Sequence, residues 1–168
     1  MSYHQLISDK IKNLQSLIEF VNESKLNNKK IVFTNGCFDL LHKGHVDYLS
    51  KARDKGDVLV VGVNTDSSVK RLGKSSSRPI QSEESRMYIL AGLESVSAVV
   101  LFDEDTPYEL IKKIVPNVLV KGADYSIDNI VGADIVLENN GSVETIDFIQ
   151  GYSTSAIERK ILDSVINN

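Results

Sequence analysis

Apolar positions along the chain alternate between two rhythms. Residues 6–24 place Leu6, Ile7, Ile11, Leu14, Leu17, Ile18 and Val21 on one helical face, which predicts a single leading helix. Asn27-Asn28-Lys29-Lys30 is a polar connector, and Ile31-Val32-Phe33 is a short β-branched and aromatic run, the composition of a buried strand. A helix is predicted over 44–55 and a second, almost continuously apolar strand over 58–63. A short helix over 66–72 and a small, basic loop over 73–79 follow. Ser82 can cap a helix that contains residues 85–93, and 96–102 reads as the third strand. Asp105 or Thr106 can cap the next helix, with Pro107 in its first turn, before a fourth strand at 118–120. Two late strands, 135–137 and 143–146, are expected to flank the tight-turn pair Asn140-Gly141, and a last helix runs over 153–165.

Strands that alternate with helices imply right-handed crossovers and a parallel α/β sheet. Unbroken apolar strands suit a sheet covered on both faces. The reading is an N-terminal helical extension, residues 1–28, ahead of one domain over 29–168. In such sheets ligands bind beyond the carboxyl ends of the strands, near a topological switch point. The first strand is expected to end at Thr34, so the rule points to Asn35 through His45.

Composition narrows the partners. The 168 residues carry a formal net charge of −4, which argues against general nucleic-acid binding but not against a small anion held by local Lys and Arg. Cys37 is the single cysteine, so no internal disulfide forms and a reducing compartment is expected. No signal-peptide core and no apolar run near the ~20 residues that span a bilayer is present, so a cytoplasmic protein without membrane insertion is expected.

The chemistry concentrates at Thr34-Asn35-Gly36-Cys37-Phe38-Asp39-Leu40-Leu41-His42-Lys43-Gly44-His45. Glycine lets the backbone approach a ligand, and N–H groups at a helix start favour phosphate. Two histidines bracketing a glycine at that start add donors for phosphate oxygens. Zinc is the weaker alternative, because His-x-x-His supplies only two of about four ligands. Gly151-Tyr152-Ser153-Thr154-Ser155 opens the last helix, where hydroxyls can cap N–H groups or meet phosphate. Lys70, Arg71, Lys74, Arg78 and Arg86 form a basic set, either a solvated cluster or an anion site. Lys121-Gly122-Ala123-Asp124-Tyr125 follows the fourth strand, where a lysine, a glycine and an aromatic suit a phosphate or a base.

With the histidine motif, Phe38-Asp39 and Ser153-Thr154, the chain resembles the cytidylyltransferase-like nucleotidyltransferases over about residues 29–165. Within that family it is most similar to the branch that adenylylates a heptose 1-phosphate. That similarity is carried by Val63-Asn64-Thr65-Asp66, Lys70-Arg71-Leu72, Arg78-Pro79-Ile80, Asp103 to Pro107, Val120 to Tyr125 and Ile130 to Asp134. Ala123 replaces a second glycine, and Asp147-Phe148-Ile149-Gln150 lacks the arginine found near here in related cytidylyltransferases, which tilts away from cytidylyl transfer. Some members carry a sugar kinase ahead of this domain, and a stand-alone form is expected here.

The resemblance implies a Rossmann-like open, mainly parallel sheet with helices on both faces. It implies ATP and heptose 1-phosphate as substrates, Mg²⁺ with the ATP, no protein metal site, and a homodimer. It implies catalytic roles for His42, His45 and Lys121. The nucleotide would meet Thr34, Asn35, Gly36, Phe38, Gly44, Gly122, Asp124, Tyr125, Ser153 and Thr154. Phosphates and acceptor would meet Asn64, Asp66, Lys70, Lys74, Arg78 and Arg86. Asp39 is expected to orient the loop by hydrogen bonding. A cytidylyltransferase for a polyol phosphate and a non-catalytic nucleotide-binding module are the alternatives.

Overall fold

The computed structural model describes residues 1–73, 78–123 and 129–166. One six-stranded sheet organises them. Its strands are β1 (Ile11–Lys12), β2 (Ile31–Gly36), β3 (Val58–Asn64), β4 (Ala98–Phe102), β5 (Val118–Gly122) and β6 (Ser142–Ile146). They lie in the order β1-β4-β3-β2-β5-β6, and every pairing is parallel. The helices are α1 (Tyr3–Ser8), α2 (Leu14–Leu26), α3 (Lys43–Arg53), α4 (Asp66–Arg71), α5 (Glu83–Ala91), α6 (Tyr108–Ile114), α7 (Ala133–Glu138) and α8 (Thr154–Ile166). Among the described residues no helix is long and apolar enough to cross a membrane.

Successive strand residues point to opposite faces, so each unbroken apolar run serves two cores. Phe33, Val60, Val100 and Leu119 pack with Leu17 and Val21 of α2 and Ile111 and Ile114 of α6. Val32, Leu59, Val61 and Val118 pack on the other face with Tyr48 and Leu49 of α3 and Leu90 of α5.

Chain order reverses between β2 and β5, which makes their junction the switch point. Only Val32 with Val118 and Phe33 with Leu119 are in register there, whereas β2 stays paired with β3 as far as Gly36. Beyond Phe33 the two central strands part, and a crevice opens between their carboxyl ends.

Two elements differ from the sequence expectation. The leading helix is broken, because Ile11 and Lys12 leave it to pair with Val99 and Val100 on the edge of β4. Asn13 then starts α2 through a reciprocal cap: its side chain accepts from Ser16 N–H at 2.8 Å and Ser16 Oγ accepts from Asn13 N–H at 3.1 Å. An open strand edge and a strong cap outweigh the continuous periodicity. The late hairpin is absent as well, since 135–137 belongs to α7 and β6 runs parallel to β5. A short apolar run fits a helix or a strand, and here the parallel edge of β5 requires a crossover. Asn140-Gly141 still turns the chain, with Asn140 in the left-handed region at φ 59°. Pro107 occupies the cap position of α6 and does not lie within its first turn, and β2 extends two residues past Thr34.

The turn into β6 is tight. A Cβ on Gly141 would stand 2.6 Å from Val136 Cγ1 and 2.7 Å from the Asn117 carbonyl oxygen. That carbonyl accepts from Ser142 N–H and cannot move away freely. Gly141→Ala is expected to cost about 2 kcal/mol, read as a lower urea midpoint at unchanged m-value.

Candidate active site

The carboxyl end of β2 feeds a short loop into α3, and the loop's shape follows from a few residues. Phe38 sits in the left-handed region at φ 50°, and its ring would lie 3.1 Å from a Cβ on Gly36. Asp39 is buried and its carboxylate accepts from Ile80 N–H at 2.8 and 3.0 Å and from Gln81 N–H at 2.9 Å. The Asp39 carbonyl also accepts from the Gln81 side chain. Asp39 therefore pins this loop to residues 80–81 and orients it.

His42 occupies the N-cap position of α3, and its ring stacks on that of His45 at 3.9 Å between centroids and 23° between planes. Phe38 meets His45 edge-on at 5.4 Å. Gly44 makes room for this arrangement, since a Cβ there would be 3.1 Å from the His42 ring and 3.3 Å from Tyr152 Cβ. Burial lowers the pKa of both imidazoles. It pushes His45 down to about 4, with His42 adding to the effect and the Leu40 backbone opposing it. Both rings are neutral at pH 7. Among the described residues, Nδ1 of each is buried without a hydrogen-bond partner, which calls for a ligand or water.

Two cavities meet at Cys37. The larger, about 250 Å³, lies in the crevice between β2 and β5 and is lined by Asn35, Gly36, Asn64, Asp105 and Lys121 among others. The Lys121 ammonium crosses the splayed strands to donate to the Asn35 side-chain oxygen. The smaller, about 140 Å³, is lined by Phe38, Asp39, His45, Val69, Arg78 and Thr154. Arg78 enters it while paired to Glu158 of α8 at 2.6 Å, and that partner raises its pKa. Ser153 accepts from Ala156 N–H at 3.1 Å and so caps α8, one residue before Thr154.

Several expected ligands are placed elsewhere. Thr34 is fully buried beneath the crevice, its hydroxyl 2.8 Å from that of Tyr48, which donates to the Val120 carbonyl. Gly122 is buried in β5 opposite Ile146. Arg86 was expected at a phosphate, yet it is 1 % exposed and spends its donors on the carbonyls of Cys37, Asn64 and Gln81 and on the Asp66 carboxylate. A guanidinium with those partners holds loops together and is not presented to a ligand. Asp66 is correspondingly engaged by Arg86. Asn64 faces the larger cavity while its amide donates to Ser68. Lys70 is exposed and lines an open groove with Glu83 and Glu84, outside both cavities. Lys74, Asp124 and Tyr125 lie outside the described residues. Sequence reading passed over Glu158, an ordinary polar position in a helical pattern. It also gave no site role to Asp105, which lines the larger cavity and pairs with Arg71 at 3.0 Å.

Among the described residues no group of three or more His, Cys, Asp or Glu could hold a metal ion. Both Asp39 oxygens already accept backbone N–H bonds.

The protein-family model described as Cytidylyltransferase-like matches residues 33–160. The chain is 55 % identical over 155 residues to "Bifunctional protein HldE" of Citrifermentans bemidjiense, covering 92 % of this chain and 32 % of that protein. It is 52 % identical over 163 residues to the protein of the same name in Geobacter metallireducens, covering 96 % and 33 %. The chain thus spans about a third of the length of these curated relatives. Among solved structures, a lipopolysaccharide core biosynthesis protein from Thermoplasma volcanium aligns with TM-score 0.59 at 27 % identity, over 74 % of this chain and 99 % of that one. A pantoate-beta-alanine ligase from Francisella tularensis aligns with TM-score 0.61 at 18 % identity, over 91 % and 77 %, and shares the fold.

The histidine geometry sets an acid response. His45 sits at about 4 in the folded chain against 6.5 when exposed. As pH falls below 6.5 the unfolded chain takes up that proton first, so stability present above 6.5 is lost on the way to 4. The urea midpoint is expected to fall across this window, and to fall less steeply in His45→Gln.

Proposed function

The chain belongs to the cytidylyltransferase-like family, and we propose that it transfers AMP from ATP to D-glycero-β-D-manno-heptose 1-phosphate, releasing pyrophosphate and ADP-heptose. The observation that carries the proposal is the pair of cavities meeting at Cys37, one lined by His45, Arg78 and Thr154 and the other by Asn35 and Lys121. The smaller cavity suits a triphosphate, and the larger suits a hydroxyl-rich acceptor whose phosphate meets Lys121. The choice of a heptose phosphate is supported by the segments around Asn64, Arg78, Asp105 and Lys121, and by the identity to relatives of the HldE name. The lipopolysaccharide-core name of one structural neighbour is consistent with a surface-glycan destination.

Such a reaction needs little proton chemistry. A sugar phosphate is already anionic at neutral pH, so it attacks the α-phosphorus without a general base. The protein's task is to align the two substrates and stabilise charge in the transition state. In this reading His42 and His45 turn ring nitrogens toward the α-phosphate. Arg78, Thr154 and the start of α8 hold the departing β- and γ-phosphates. Lys121 neutralises the incoming phosphate, and Asn35 fixes the lysine. Mg²⁺ enters as part of the nucleotide substrate. We place the protein in the cytoplasm as a homodimer. Ile161, Leu162, Val165 and Ile166, all exposed on α8, offer apolar surface for a second copy.

His42→Ala or His45→Ala is expected to lower kcat by roughly 10²-fold, the scale of one preorganised charge-stabilising donor, with the circular dichroism spectrum unchanged. Near-normal turnover in both variants would remove the histidines from the mechanism. Lys121→Ala is expected to raise KM for the sugar phosphate more than it lowers the melting temperature, and unchanged kinetics would reduce Lys121 to a bystander. The substrate assignment is tested by pyrophosphate release from ATP, CTP and GTP, each with heptose 1-phosphate and with glycerol 3-phosphate. Turnover only with CTP and the polyol phosphate would replace this reading with cytidylyl transfer. Binding without release in every combination would make the protein a nucleotide-binding module.

A further inference from the structure

The helix that carries Thr154 lacks the usual anchor. α8 has thirteen residues and none is buried. Within the protomer Ile157 is only half-buried and Ile161, Leu162, Val165 and Ile166 are exposed, so apolar burial against this chain's own cores does little to dock it. Yet Thr154, its first residue, lines the cavity that also holds His45 and Arg78. A residue with that task needs a fixed helix start.

Polar contacts supply it. Glu158, one turn into α8, grips Arg78 in a fork, with Nε 3.1 Å from Oε1 and a terminal nitrogen 2.6 Å from Oε2. The same terminal nitrogen donates to Ser155 Oγ at 3.2 Å. The two side chains are only 13 % and 26 % exposed, so the pair is screened less than a surface ion pair. Arg78 is itself held near the site, because Ile80 and Gln81 donate to buried Asp39. On the far side, the Lys43 ammonium lies 5.5 Å from the centre of the Tyr152 ring, just before α8. A carboxylate beside a polyphosphate site repels the substrate unless a cation neutralises it, as the Arg78 guanidinium does here. The same pairing ties α8 to Arg78.

We propose that Glu158 is a positioning residue for nucleotidyl transfer: by holding Arg78 it fixes both that guanidinium and Thr154 at the phosphate cavity. The proposal rests on reading that cavity as the triphosphate site. Glu158 touches no reacting atom and acts only through Arg78.

A double-mutant cycle on the full chain tests this, with ATP kinetics and amide hydrogen exchange at residues 154–158 as separate readouts. Glu158→Ala is expected to raise KM for ATP on the order of 10-fold, the loss of one charge-assisted contact, with a smaller effect on kcat. Glu158→Gln, which keeps the acceptor without the charge, is expected to fall between Glu158→Ala and the parent. In an Arg78→Ala background, Glu158→Ala is expected to add less than about 2-fold, because the partner is already gone. Exchange at 154–158 is expected to accelerate in either single variant while the global melting temperature holds. Unchanged KM and exchange in Glu158→Ala would overturn the proposal, as would its full effect persisting without Arg78. Should the parent chain release pyrophosphate from no nucleotide, the reading of the cavity falls first. The exchange readout then decides the docking role by itself: acceleration in Glu158→Ala upholds it and no change ends it.

Discussion

A guanidinium with almost no exposed surface, that of Arg86, ties the working end of the sheet together. It donates to the carbonyl of Cys37 after β2, to that of Asn64 at the end of β3, to that of Gln81 before α5, and to the carboxylate of Asp66 at the start of α4. These groups lie where strands stop pairing and backbone carbonyls lose their ladder partners. A single fork-shaped cation satisfies several at once, which a lysine could not do with the same geometry. Asp39 performs the reciprocal task with opposite charge, accepting the N–H groups of Ile80 and Gln81. Together the two buried charges hold the β2–α3 loop, the start of α4 and the segment before α5 in one arrangement. The cost of burying them is offset because nearly every polar atom they bring finds a partner.

On that frame the site separates two kinds of electrostatic work. The histidine pair is neutral, stacked and partly desolvated, suited to directional donors that strengthen where charge develops. The fixed positive charges, Arg78 and Lys121, stand in different cavities on either side of Cys37. On the proposed function, this spacing would give each phosphorylated reactant its own cation and leave the junction for the reacting atoms. Each cation is oriented by a partner, Glu158 for Arg78 and Asn35 for Lys121. Preorganisation of this sort removes the cost of arranging dipoles at the moment of reaction.

The rest of the fold can be read as support for the splay of β2 from β5. Two cores clamp the sheet, one through α2 and α6 and the other through α3 and α5. They hold the strand ends in place, and the buried Arg86 and Asp39 hold the loops beyond them. α8 is the exception, because it contributes to the site without contributing to either core.

The sequence by itself determined the parallel α/β architecture. Runs such as Val58 to Val63 are apolar on both faces, and only a sheet covered on both sides buries them. It also pointed to the carboxyl end of the first long strand as the candidate site, where Gly36 lines the crevice and His45 the neighbouring cavity. Only the tertiary structure decided which polar residues face that crevice. Arg78 and Arg86 look alike along the chain, yet one lines a cavity and the other is buried among carbonyls. Asn13 and the free edge of β4 divided a helix that periodicity drew whole, and the edge of β5 turned a hairpin into a crossover. Periodicity reports which face of a segment is dry, whereas the competition for strand edges, caps and buried partners is settled by residues far away in the chain.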